Sequence, residues 1–211
     1  MITPDALLTM INNIGEAIKE NKEFLTDLDT AIGDSDHGIN MSKGFSAVLN
    51  KLDGVRDKDC GIILKTVAMT LISTVGGASG PLYGTAFLKA ASVVNGKMYI
   101  DRNDTVQMLF EVIQGIKSRG KSDKGDKTML DALIPAYEVL KESLENGEEI
   151  IIAFEKAVTA AKEGVEYTKT IIARKGRASY IGERSIGHQD PGATSSYIIL
   201  KVIKDTLKEV N

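Results

Sequence analysis

Apolar residues in this chain recur at three- and four-residue spacing in eight separate stretches, and none of them alternates for long with period two. Leu7, Ile11, Ile14 and Ile18 trace the first stripe, with Thr3 placed to cap it and Pro4 where its missing N–H does no harm. Met41, Phe45, Val48, Leu49 and Leu52 trace the second, and Ile63, Leu64, Val67, Ala68 and Leu71 the third. The fourth opens at Pro81 and runs through Leu82, Phe87, Leu88 and Ala91; the fifth, capped by Asn103 or Asp104, carries Val106, Leu109, Phe110, Ile113 and Ile116. Leu130, Leu133, Tyr137, Leu140 and Leu144 form a sixth, which Pro135 is expected to kink. Ile151, Phe154, Val158, Ala161 and Val165 form the seventh, and Tyr197, Ile199, Val202, Ile203 and Leu207 the eighth. Most connections are short, which makes successive helices antiparallel neighbours. The pattern predicts one all-α domain over residues 1–211.

Composition narrows the class. A chain of 211 residues with 43% hydrophobic content can bury a sizeable core without disulfides. Cys60 is the single cysteine, expected as a buried apolar residue, so no internal disulfide forms. Asp5 and Glu16 interrupt the first apolar stretch, so it does not read as a signal peptide, and the expected location is the cytoplasm. The net charge of −3 comes with no basic stripe, which argues against a nucleic-acid partner. No apolar run approaches the roughly 18 residues a transmembrane helix needs, so no membrane span is expected.

The polar stretches carry the chemistry. Between Asp29 and Phe45 the chain places three carboxylates, Asp29, Asp34 and Asp36. In an extended loop, Asp34 and Asp36 fall on one side, and a turn at Gly33 brings Asp29 to a third corner. Three oxygen ligands with no cysteine nearby suit magnesium, which fills its shell with water and substrate phosphates. A plain solvated connection is the other reading of such a loop. An EF-hand is excluded, because Gly38, Ile39 and Phe45 stand where its fifth, sixth and twelfth positions need other residues.

Gly76-Gly77-Ala78-Ser79-Gly80-Pro81 enters a helix and leaves N–H groups free for an anion, or else makes only a tight helix–helix turn. Residues 117–128 are charged and without period, which reads as solvated surface. The segment 173–196 is a long loop carrying Arg174, Lys175, Arg177 and Arg184, whose guanidinium groups suit phosphate oxygens. Gly182 to Gly187 has P-loop spacing, but His188-Gln189 replaces the required Lys-Ser or Lys-Thr. No dinucleotide fingerprint, kinase signature or serine-hydrolase elbow is present, and His37 and His188 are too few for a zinc site. Acidic loop, glycine-rich helix entry and arginine-rich loop together suggest a seat for a magnesium nucleotide, with phosphoryl transfer by positioning and charge neutralisation.

Five blocks carry a resemblance across nearly the whole chain: Gly33 to Met41, Gly76 to Pro81, Gly125 to Met129, Arg174 to Ala178 and Gly187 to Ala193. In that order they resemble the L subunit of the dihydroxyacetone kinases. The resemblance implies a barrel of eight antiparallel helices with ADP or ATP at one end. It implies Asp29, Asp34 and Asp36 as catalytic metal ligands for two Mg²⁺ ions bridging the phosphates. His37, Gly38, Ile39 and Asn40 would lie against the nucleotide, and Ala78 and Ser79 would meet its phosphates. Gly120, Met129 and Arg177, with Asp190, Pro191 and Gly192, would complete the pocket around ribose and base. The partners implied are a K subunit holding dihydroxyacetone covalently and a phosphohistidine-bearing M subunit of the phosphotransferase system, which rephosphorylates bound ADP. A homodimer is compatible with the same reading. Only the L-like part is present here, which favours that three-subunit system over one polypeptide that exchanges ATP. Three alternatives stand beside it: a kinase subunit for another small ketose or polyol, a metal-dependent phosphatase, and a non-catalytic module sensing ADP against ATP.

Overall fold

The computed structural model describes residues 1–210. Their regular structure is helical, apart from one antiparallel bridge in which Ile2 and Ile100 exchange bonds of 3.0 and 2.8 Å. The helices are α1 (Pro4–Glu20), α2 (Lys22–Ile32), α3 (His37–Leu49), α4 (Cys60–Thr74), α5 (Ser79–Val93), α6 (Arg102–Gly120), α7 (Leu130–Glu145), α8 (Ile150–Thr168) and α9 (Pro191–Val210). Two 3₁₀ segments, Leu52–Val55 and Arg177–Ser185, complete the set.

The all-α reading holds, but the described residues form nine α-helices where the periodicity predicts eight. The extra one is α2. Asn21 ends α1, its N–H and its side chain both returning to the carbonyl of Ala17. The buried positions of α2 are Leu25, Asp29 and Ile32, so a carboxylate breaks the apolar pattern that would reveal it.

Boundaries shift for similar reasons. α5 starts at Ser79, two residues before Pro81. The cap of α6 is Asp101, neither Asn103 nor Asp104; Asp101 accepts from the Asp104 N–H at 2.8 Å, and Asp104 accepts from the Asp101 N–H at 3.2 Å. α6 then continues through residues 117–120 before Lys121 turns left-handed at φ 48°. The expected loop over 173–196 is shorter than its sequence suggests, since α9 begins at Pro191 rather than near Tyr197. Thr194, Ser195 and Ser196 are buried there, and their polarity hides the helical period.

Packing follows chain order. α1 packs on α3, α3 on α4, and each later helix on the next, until α9 returns to α1; α2 packs on α3 and α9. This circuit lines an apolar cavity of about 180 Å³, bounded by Ile11, Ile14, Leu64, Phe87, Leu133 and Ile199 among others. Caps tie the connections down: Asp59 accepts from Ile62 at the start of α4 and from Gly96 after α5, both at 3.1 Å. No helix among the described residues is long and apolar enough to cross a membrane.

α7 and α8 approach through Gly164, where a Cβ would collide with the carbonyl oxygen of Asp131 and stand 2.9 Å from its carbonyl carbon. The obstacle is backbone, which cannot swing aside. Gly164→Ala is therefore expected to destabilise the fold by about 1–3 kcal/mol, read as a lower urea midpoint at unchanged slope.

Candidate functional site

The acidic loop is built by α2, a bend, and the first turn of α3. Asp29 lies in the last turn of α2 and is buried. Its Oδ2 accepts the N–H groups of Asp36 at 2.9 Å and His37 at 3.1 Å, which caps α3 from outside its own helix. Ser35 adopts φ 64°, and Asp36 sits at φ −121°, ψ −12°. The loop is thus bent rather than extended, and Asp34 and Asp36 converge through the turn instead of by strand-like alternation. One ligand oxygen from each of Asp29, Asp34 and Asp36 can be chosen so that all lie within 4.8 Å of one another.

The electrostatics of this trio favour a cation. Burial raises the pKa of Asp36, and the charges of Asp34 and Asp29 push the same way, against its bond with Asn40 and the charge of Arg177. Arg177 reaches the loop from the 3₁₀ segment, with Nε 2.9 Å from Asp34 Oδ2. Both partners are exposed, so this pair contributes little to stability. One guanidinium facing three carboxylates leaves negative charge that an oxygen-loving divalent ion can neutralise.

Beside the carboxylates, the N-terminal parts of three helices meet. His37, at the start of α3, is buried, with Nδ1 3.0 Å from Ser79 Oγ and Nε2 2.9 Å from Ser195 Oγ. Ser79 opens α5, and Ser195 lies in the second turn of α9. Ser195 continues to the Tyr83 hydroxyl at 2.7 Å, which also meets Ser196 Oγ at 3.0 Å and donates to the Gly192 carbonyl at 3.3 Å. Burial pushes the His37 imidazole down to about 4, outweighing the charge of Asp29, and pushes the Tyr83 hydroxyl up to about 12. At neutral pH the ring is therefore uncharged, donating from one nitrogen and accepting at the other. Both ring nitrogens are engaged within the protein.

The other expected residues fall around this junction. Gly38 is pressed on α2, where a Cβ would collide with the Lys22 carbonyl, so only glycine lets α3 start there. Ile39 is exposed, and Asn40 faces Gly76, whose Cβ position lies 3.1 Å from its Oδ1. Ala78 is exposed directly before Ser79. Gly120 stands against Leu82, one turn along α5 from Ser79. Met129 is buried beside Gly192, its backbone nitrogen 3.6 Å from that glycine's Cβ position.

Asp190 is also buried, and its Oδ2 accepts the Ala193 N–H at 2.7 Å, so its side chain caps α9 ahead of Pro191. Burial raises its carboxyl to about 7, against the Ala193 bond and the Lys127 charge. Tyr83, Ser195, Lys127 and Asp131 belong to the same framework and carried no assigned role in the sequence. Asp190-Pro191 was the available signal for Ser195, since a cap followed by proline starts a helix there.

A family model described as "DAK2 domain" matches residues 31–205. The chain belongs to that family. It is 45% identical over 203 residues, 96% of this chain and 97% of the relative, to "PEP-dependent dihydroxyacetone kinase, ADP-binding subunit DhaL" of Escherichia coli K12. It is 38% identical over 210 residues to "PTS-dependent dihydroxyacetone kinase, ADP-binding subunit DhaL" of Lactococcus lactis, covering 98% of this chain and 100% of that one. Among solved structures, the dihydroxyacetone kinase of C. freundii in complex with AMP-PNP and Mg²⁺ superposes with a TM-score of 0.73 at 21% identity. That match covers 94% of this chain and 33% of the larger kinase, and it establishes the shared fold.

Two expectations separate the roles of the residues. Asp29→Ala removes the outside cap of α3 and should cost about 0.5–2 kcal/mol of stability, whereas Asp34→Ala, at an exposed position, should cost none measurable by urea unfolding. His37 has a folded pKa near 4 against a usual 6.5, so the unfolded chain binds more protons between those values. Its contribution is complete above pH 6.5 and is lost as pH falls towards 4. The stability of wild type relative to His37→Gln should therefore fall by about 3 kcal/mol over that interval, measured by unfolding at each pH.

Proposed function

We propose that the chain is the nucleotide-binding subunit of a dihydroxyacetone kinase, serving phosphoryl transfer to dihydroxyacetone held on a separate K subunit. The observation that carries this reading is the meeting of three carboxylates with the starts of α3 and α5 and the second turn of α9. The start of α5, which has no side-chain cap, offers N–H groups and partial positive charge to an anion, while the carboxylates require a cation. A magnesium-bound phosphate group meets both demands at once. The identity to relatives named as ADP-binding subunits supports the same nucleotide.

In this reading Asp29, Asp34 and Asp36 hold Mg²⁺, as two ions, and the metal supplies neutralisation of charge on the phosphate oxygens. Ala78 and Ser79 offer backbone N–H and hydroxyl to those oxygens. His37 orients the Ser79 hydroxyl through Nδ1 instead of contacting the nucleotide with its ring. Arg177, whose Nε lies 2.9 Å from Asp34, would offer its remaining guanidinium N–H groups to a phosphate oxygen. Gly38, Ile39 and Asn40 wall the site from α3. Gly120, Met129 and the Asp190-Pro191-Gly192 turn surround ribose and base. The helix circuit is read as a barrel of eight antiparallel helices, α2 lying outside it, with this site at one end.

Bound ADP that stays in place and is rephosphorylated by a phosphohistidine of a phosphotransferase-system subunit accounts for the likeness to relatives named as PEP- and PTS-dependent. Native mass spectrometry of the purified protein should find ADP with magnesium, and calorimetry should find ADP binding that depends on Mg²⁺. Asp34→Ala should abolish that binding with helicity intact, and the chain alone should phosphorylate no dihydroxyacetone. Absence of nucleotide binding at saturating Mg²⁺ would refute the reading.

A further inference from the structure

Lys127 lies in the stretch that reads as solvated surface in the sequence, yet it is 1% exposed. Its backbone takes φ 61°, a left-handed conformation unusual for such a residue. Asp131 imposes it: this buried carboxylate accepts the N–H of Gly125 at 2.6 Å and of Thr128 at 2.7 Å, and so folds the chain around Lys127. The side chain then points inward. Nζ lies 2.5 Å from the Ser185 carbonyl oxygen, 2.6 Å from that of His188, 2.7 Å from that of Thr168 and 3.3 Å from that of Ile171.

An ammonium has three N–H donors, and three of these contacts are short, so its bonding capacity is met by backbone alone. No carboxylate among the described residues stands within ion-pair distance of it. Asp190 and Asp131 favour its charge from farther away, against burial, which pushes its pKa down. Burying a cation without a bonded counter-ion is costly, and a methionine would fill similar space at less expense. The ammonium does what an apolar residue cannot, because it satisfies the terminal carbonyls of α8 and of the 3₁₀ segment and others in irregular chain.

Those carbonyls lie at the two ends of a single segment. Thr168 and Ile171 stand where it leaves α8; Ser185 and His188 stand where it approaches α9. Further bonds close the same base: the Gly187 N–H donates to the Lys169 carbonyl at 2.8 Å, and the Ala173 N–H to Ser185 Oγ at 2.9 Å. The Asp190 N–H donates to Thr168 Oγ1 at 2.9 Å. Arg177 lies between these ends and meets Asp34.

We propose that Lys127 is a positioning residue, whose ammonium pins the two ends of the 169–190 segment together so that Arg177 faces the acidic loop and Asp190 stands at the head of α9. The benefit to nucleotide binding rests on the function proposed above; the pinning does not.

The wild-type protein tests the pin directly by ¹⁵N NMR of the lysine ammonium groups. Lys127 should give a slowly exchanging signal with couplings across hydrogen bonds to the carbonyl carbons of Thr168, Ser185 and His188. Fast exchange with water and no such coupling would overturn the proposal. Lys127→Met then keeps the volume and removes the donors. Hydrogen exchange at the Ala173 and Gly187 amides should speed up about tenfold or more, while amides of α4 stay protected. Unchanged protection at those two amides would also overturn it. If the variant does not fold, the wild-type couplings decide alone. Calorimetry of wild type with Mg-ADP separates the two readings: no binding there removes the nucleotide function, while the couplings to Lys127 still decide whether the pin exists.

Discussion

A neutral imidazole, bonded on both sides, holds the candidate site of this molecule together. His37 bridges the starts of α3 and α5 and the second turn of α9, three helices far apart in sequence. Burial disfavours an imidazolium there, outweighing the nearby charge of Asp29. The helix dipoles, unlike burial, favour an anion at the neighbouring N–H groups. Neutrality of the ring follows from this arrangement, and the carboxylates alongside supply negative charge suited to a cation.

Much of the fold is legible in the apolar periodicity, because seven of the nine helices bury a stripe of Leu, Ile, Val and Phe that repeats at helical spacing. Legibility fails where a buried position is polar for a local reason. Asp29 is buried in α2 because it caps α3, and it thereby interrupts the pattern that would mark α2 as a helix. Ser195 is buried in α9 because it bonds His37 and Tyr83, and the helix looks from its sequence as if it began after that residue. In both cases the missed helix turn is the one that builds the site.

The acidic trio itself could be read from residue type and spacing, but the route by which it converges could not. A left-handed Ser35 has no signature in composition, and alternation suggested an extended loop instead. Lys127 was less visible still. Nothing in a run of lysines, glycines and serines distinguishes the one ammonium that turns inward from those that stay in water. Its burial depends on carbonyls some forty to sixty residues later in the chain.

Closure of the helix circuit also orders events in time. α1 packs on α3 and on α9, so part of its apolar face has no cover until the last helix arrives. A ribosome makes α9 after the other eight helices, at several residues per second, and contacts between distant segments are slow to form. Ser195, Asp190 and the carbonyl of His188 enter with that same stretch of chain. The nascent protein therefore acquires its last structural seam and its candidate site in one step, and a chain halted before residue 190 has neither.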